Sequence, residues 1–466
     1  VSNRFEDINF EAPAVSLVFD VHSAARSSID EIASAALVAI QPINIVGQPQ
    51  TKHDWWSPSG ALKITRETMV NFPKLWVSDD TGSRAFVFME CDERPWGIPI
   101  DKYMRVETLV DAVLKLKWAR TSLSDKFVRE CFLEWAEKSI LKATTESFCD
   151  YLLFLCSKKV VKIRAVVPIQ YLAVEERFEF GPGSIIPFGD GFFSDLERNL
   201  ESMEASKADR ARLLYERMKS DMKDCAAFEL ELIAEPNYAQ EISLQLATDM
   251  VGLLRFLSPA SGEASLMSPL SPLGATHVPD YHVITLGINK SFSYTHGMAA
   301  ETAGYWLVSK YVVEEMRREN LEALGQLLLI DGLSEFARSV RSSILAFSRA
   351  LTFPDMSDRL IFAFSAIEGL MLKDQSEPIQ QNVGERVAFL TTNDPEERQS
   401  VVGNFRSVYR MRSQYIHHRL TTIDLSELND AFENIRNALA AAVENLDQFA
   451  TRQEFLAAID RRKYGA

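Results

Sequence analysis

Residues 406–419 read Arg406-Ser-Val-Tyr409-Arg410-Met-Arg412-Ser413-Gln-Tyr-Ile-His417-His418-Arg419. The stretch holds four Arg and two His and no acidic residue. It closes a long helical pattern that opens at Asp394-Pro395, where Asp suits an N-cap and Pro the first turn, so a helix is predicted from 395 to about 415 or 417. The stretches before it repeat the pattern. Residues 322–330 lead into a helix over 333–351, which stops before Pro354. A helix over 355–373, with Asp355 as N-cap, contains Leu360-Ile-Phe-Ala-Phe-Ser-Ala-Ile-Glu368-Gly-Leu-Met-Leu372, and a short one covers 384–391. Helices over 424–449 and 454–461 follow. From residue 321 to 466 the chain is expected to be an all-α bundle.

Residues 1–320 read differently. Strands are expected at 15–21 and 85–89, and small residues over 24–36 suggest a helix. From 105 to 158 the pattern is helical: Leu109, Ala112, Val113 and Leu116 fall on one face. The period changes over 160–188, where Val, Ile and Phe cluster around Gly181-Pro182-Gly183, the signature of a hairpin. A charged helix over 195–223, a half-exposed strand over 225–234 and a helix over 239–257 come next. A Ser/Pro/Gly-rich loop is predicted over 258–279, a strand over 282–286 and a helix over 302–318. The fold class is therefore α+β: a mixed α/β region of about 320 residues, possessing an internal boundary near 158, followed by the helical bundle.

The chain has 466 residues and a net charge of -15, with 47% hydrophobic and 25% charged residues, so it is an ordinary globular composition. That acidity excludes broad coating of nucleic acid or anionic membrane. It is unevenly spread, however. Residues 336–466 hold 16 Lys plus Arg against 17 Asp plus Glu, whereas the rest holds 34 against 48. The bundle is close to neutral and carries the acid-free segment. An ordinary solvated helix whose arginines pack against nearby carboxylates would also give this pattern.

No run approaches a membrane span, and Val-Ser-Asn-Arg-Phe-Glu-Asp at the start lacks the basic and apolar regions of a signal peptide. The five cysteines, at 91, 131, 149, 156 and 225, show no CxxC spacing. A cytoplasmic protein with reduced thiols is expected. There is no GxxxxGK[ST], HExxH, GxSxG or GxGxxG before a helix. His53, His277 and His282 are isolated, so no metal and no cofactor is expected.

One constellation remains. Arg412 and His417 form Arg-x4-His, a spacing that Arg412 and His418 also satisfy with five intervening residues. In order, AIEGL around Glu368, ERVAFL at 385–390, DPEER at 394–398 and YRMRSQYIHH at 409–418 make a pattern that resembles the C-terminal domain of the Apea-like HEPN family, over roughly residues 333–449. The resemblance implies a helical domain that dimerises, with the Arg-x4–6-His motifs of two protomers lining one cleft. It also implies a metal-independent endoribonuclease of the toxin or anti-phage kind, with RNA, such as tRNA, as substrate. Non-catalytic members, which only dimerise or bind RNA or nucleotide, are the alternative. Under the resemblance Arg412 and His417 are the catalytic pair, with Glu368, Arg410, Ser413 and His418 in support and Arg406, Arg410 and Arg419 on RNA. Residues 1–320 then form a sensor for a phage-derived or nucleotide trigger, their acidity keeping RNA away until it acts.

The residue types suit that chemistry. Metal-free RNA cleavage needs a base for the 2′-hydroxyl, an acid for the leaving 5′-oxygen and a cation for the phosphorane. Histidine can serve as base or acid and arginine grips phosphate oxygens in pairs. On an ideal helix, however, Arg412 and His417 point about 140° apart, while Arg410 and His417 lie within about 20°. Arg412 and His417 meet only if the helix breaks near His417 or a second protomer supplies one of them.

Overall fold

The computed structural model describes residues 19–42, 76–78, 84–91, 94–201, 205–222, 225–274, 280–286, 292–298, 304–329, 331–374, 376–418 and 424–463. The expected strand at 15–21 falls mostly outside them, as do His53, His277 and Arg419. The α+β class holds: an N-terminal mixed region with antiparallel sheet precedes an all-helical region.

The chain divides into two compact units, one of residues 1–165 with 231–242, the other of 166–230 with 243–466. Residue 321 therefore lies inside the second unit, which also takes much of the interval read from sequence as a separate region.

In the first unit, helices α1 (Ser23–Leu37), α2 (Ile100–Leu114), α3 (Lys117–Arg120), α4 (Asp125–Ile140) and α5 (Phe148–Lys159) enclose a core that includes Leu109, Val113, Phe132 and Phe148. Strands β1 (Gln41–Pro42), β2 (Trp76–Ser78), β3 (Arg84–Cys91) and β4 (Arg94–Pro99) form an antiparallel sheet in the order β1-β4-β3-β2. Cys131, Cys149 and Cys156 are buried free thiols, and burial pushes Cys156 up to about 12, so it behaves as a small apolar side chain.

A second sheet runs β10-β5-β9-β8-β7, built from β5 (Val161–Gln170), β7 (Phe178–Phe180), β8 (Gly183–Pro187), β9 (Ala226–Ala234) and β10 (Ser271–Pro272). The strand expected to be half exposed at 225–234 is instead buried over its first five residues, because β9 lies between β5 and β8. The turn between β7 and β8 shows why glycine is needed. Gly181 has φ +62°, and a Cβ there would stand 2.5 Å from the Gly325 carbonyl oxygen, an approach only two glycines allow.

The helix expected over 302–318 is a correction. Trp306–Val308 is a strand paired in parallel with β6 (Leu172–Val174); Ser309 caps a helix only over Lys310–Arg318. The aromatic and branched residues of 306–308 favour the pleated surface that β6 offers over a helical turn.

The helices α11 (Glu335–Ala350), α12 (Met356–Met371), α13 (Ile379–Thr391), α14 (Pro395–His418), α15 (Leu425–Glu444) and α16 (Arg452–Lys463) form the bundle; α6 to α10 are Asp190–Glu201, Ala205–Asp221, Pro236–Leu257, Lys310–Arg318 and Leu321–Gln326. Asp355 accepts from the Ser357 and Asp358 amides, and Asp394 from those of Glu396 and Glu397, as their sequence positions predict. Phenylalanines fill the interior. Phe364 meets Phe405 at 5.5 Å between ring centres, Phe347 meets Phe432 at 5.5 Å, and Phe336 meets Phe455 at 4.6 Å. No helix among the described residues is long and apolar enough to cross a membrane.

Candidate active site

The site is organised by α14, which runs unbroken from Pro395 to His418. Val401, Phe405 and Val408 are its buried stripe, spaced by four and three residues. Arg412 is four residues further along the same stripe, so its side chain is carried inward. Phe364 of α12 touches Phe405 and Tyr409, and one turn beyond Phe364 stands Glu368. Arg412 Nη1 donates to Glu368 Oε1 at 2.6 Å, with both side chains only 15% exposed. The guanidinium also lies 5.5 Å from the centre of the Tyr409 ring. Its Nε is buried without a hydrogen-bond partner among the described residues, so the pairing with Glu368 leaves one donor of the fork unmet. Burial raises the Glu368 carboxyl above the ordinary glutamate range, and the attraction and hydrogen bond of Arg412 only partly oppose this.

The other residues singled out from sequence sit on a different face of the same helix. Arg406, Arg410, Ser413 and His418, spaced at three to five residues, line a groove of about 480 Å³. Gly403 opens its floor, Ser407, Tyr409 and Gln414 complete that wall, and Gln380 reaches in from α13. None of these lining residues is acidic. Arg406 and Arg410 are exposed and make no hydrogen bond or ion pair among the described residues. The charge of Arg406 is felt only weakly, as one of several that lower the Glu385 carboxyl, after burial acting the other way and Lys463.

His417 and His418 end the helix, both exposed, their rings 6.4 Å apart. Arg412 and His417 are therefore not brought together within one chain, because α14 neither breaks nor distorts before His418. The helix instead gathers Arg406, Arg410 and His418. Arg419 lies outside the described residues. Gln414 was legible as the groove position four residues beyond Arg410, whereas Gln380 carries no signal, since it arrives from another helix.

Chemically, the arrangement supplies a guanidinium held by a carboxyl that burial raises, two exposed imidazoles and an acid-free cationic groove. That set can bind phosphate and move protons. Among the described residues no group of three or more His, Cys, Asp or Glu could hold a metal ion. No family model, curated protein or solved structure matches the chain.

Proposed function

We propose that the chain is a metal-independent endoribonuclease of the HEPN type, acting as a homodimer in toxin or anti-phage defence. The observation that carries this reading is the Arg412–Glu368 pair, which joins the AIEGL helix to the Arg-x4-His helix and holds a guanidinium five and six residues before two exposed histidines. RNA lies along the Arg406–Arg410 groove. His417 takes the proton of the 2′-hydroxyl, which attacks its own phosphate. The 5′-oxygen leaves with a proton from His418, beside His417 on the same helix end, and Arg412 stabilises the phosphorane. The products are a 2′,3′-cyclic phosphate and a 5′-hydroxyl. Because Arg412 and His417 point apart on one helix, each cleft draws Arg412 from one protomer and His417 from the other. Residues 1–320 sense a phage-derived or nucleotide trigger, and their acidity restrains RNA access.

Complementation tests the shared cleft. Arg412→Lys and His417→Ala chains, each strongly slowed alone, are expected to regain RNA cleavage when co-expressed as heterodimers, since one cleft then has both intact groups. Absence of any recovery in heterodimers of verified mass overturns the shared cleft. A second reading, a non-catalytic module that dimerises and binds RNA, is favoured by the fact that Arg412 is already engaged by Glu368. It predicts RNA binding that depends on Arg406 and Arg410, without cleavage.

A further inference from the structure

A second groove, of about 540 Å³, lies between α11 and α12, away from the residues assigned above. Its walls are short: Ser339, Ser342, Ser343 and Ala346 of α11 face Ser365, Ala366 and Gly369 of α12. Small residues alone would make only a gap between helices. Two further observations point to a ligand. First, Ser343 is only 5% exposed, lines the groove, and its hydroxyl makes no hydrogen bond among the described residues. Its hydroxyl oxygen opens on the groove and is free to meet a polar ligand there. Second, Arg338 and Arg452 both line the groove. Arg338 spends one donor on the Leu333 carbonyl, at 2.9 Å. Arg452 donates to the Gly369, Leu372 and Lys373 carbonyls, at 2.7, 2.6 and 3.4 Å. Each guanidinium has five donors, so both keep capacity for an oxyanion. The acidic lining residue, Glu335, is occupied by the Arg452 amide, at 2.6 Å, and by the Ser339 hydroxyl.

We infer that this groove binds a sugar phosphate, its phosphate between Arg338 and Arg452 and its hydroxyls along the serines. The volume falls within the range of small-molecule sites. The lining offers hydroxyls and no aromatic side chain, so a sugar finds partners while a nucleobase has nothing to stack on. The inference stands independently of the RNase reading, since none of these residues lies on α14.

The test is isothermal titration of the full chain with ribose 5-phosphate, ribose, inorganic phosphate and AMP. Ribose 5-phosphate is expected to bind roughly tenfold or more tightly than ribose or phosphate, with AMP no tighter than ribose 5-phosphate. Arg338→Ala should weaken binding by about tenfold, as expected for losing a charged hydrogen-bond donor. Gly369→Leu should abolish it: a Cβ there meets only Ser343 Oγ, at 4.0 Å, so the larger side chain fills the groove without disturbing the helix. Ser343→Ala, which changes no packing, should weaken binding severalfold. No heat from ribose 5-phosphate at about 10 mM, or equal affinity in folded Arg338→Ala and Gly369→Leu, overturns the inference.

Discussion

A His417→Ala chain is expected to cleave RNA about 10²–10⁴-fold more slowly than the unaltered protein, the usual contribution of a positioned acid or base. His417 is exposed and hydrogen-bonds to no described residue, so the change leaves the fold intact and the loss reads on chemistry alone. Arg412 needs more care. It is paired with Glu368 in a largely buried setting, and stripping one partner from such a pair costs about 3–5 kcal/mol. Arg412→Ala would confound folding with function. The cleaner variants are Arg412→Lys, which keeps the charge but loses the planar fork, and Arg412→Gln with Glu368→Gln, which removes both charges together. Both are expected to melt near the unaltered protein and to lose about 10²–10³ in rate, measured on total RNA. Arg410→Ala offers the contrast. If it is dead while Arg412→Lys is active, the face shared by Arg410 and His417 is the catalytic one, and the inward arginine is structural.

The largest expected effect on stability lies away from the motif. Arg386, on α13, is only 5% exposed and is held by five bonds: to the Met371 carbonyl at 2.5 Å, to Glu377 at 2.7 and 2.8 Å, and to Asp460 at 3.1 and 3.3 Å. Lys373 adds a bond to Asp460 at 2.7 Å. The network ties α16 to α13 and to the end of α12. Arg386→Leu takes the cation from Glu377 and leaves Asp460 with Lys373 alone, and should lower unfolding free energy by about 3–5 kcal/mol in urea titration. The pH dependence carries a signature. The Arg386 bonds are the leading cause holding Glu377 below the ordinary range; for Asp460 burial acts upward first, and the bonds from Arg386 and Lys373 outweigh it. With folded values below the unfolded ones of about 4.3 and 3.9, the unfolded chain binds more protons in that window. Their contribution is thus complete above about pH 4.5 and is lost as pH falls through the depressed folded values. Tm should drop steeply below about pH 4, and less steeply in Arg386→Leu. Equal slopes in the two proteins would show that the network does not couple these carboxylates to folding.

The bundle was legible because its signals are local. Asp355 and Asp394 mark helix starts by capping, and the Val401, Phe405 and Val408 spacing marks the buried face of α14. Residues 302–318 misled because Trp306–Val308 becomes a strand only when β6, more than 130 residues earlier in the chain, lies beside it. The burial of β9 depends in the same way on strands distant in sequence. At the site, helical geometry alone separated Arg412 from His417. Which of the four arginines would turn inward was not legible from the motif, since it depends on Glu368, 44 residues away. The acid-free segment 406–419 thus proved mixed: Arg412 has its carboxylate, whereas Arg406 and Arg410 face an acid-free groove.

The most direct measurement is incubation of the pure full-length chain with total RNA in EDTA, with the end groups of the fragments identified. The proposed mechanism predicts cleavage that EDTA does not inhibit, fragments ending in 2′,3′-cyclic phosphate and 5′-hydroxyl, and loss of both with His417→Ala. Intact RNA under every triggering condition, cleavage that requires added metal, or undiminished cleavage by His417→Ala would contradict it.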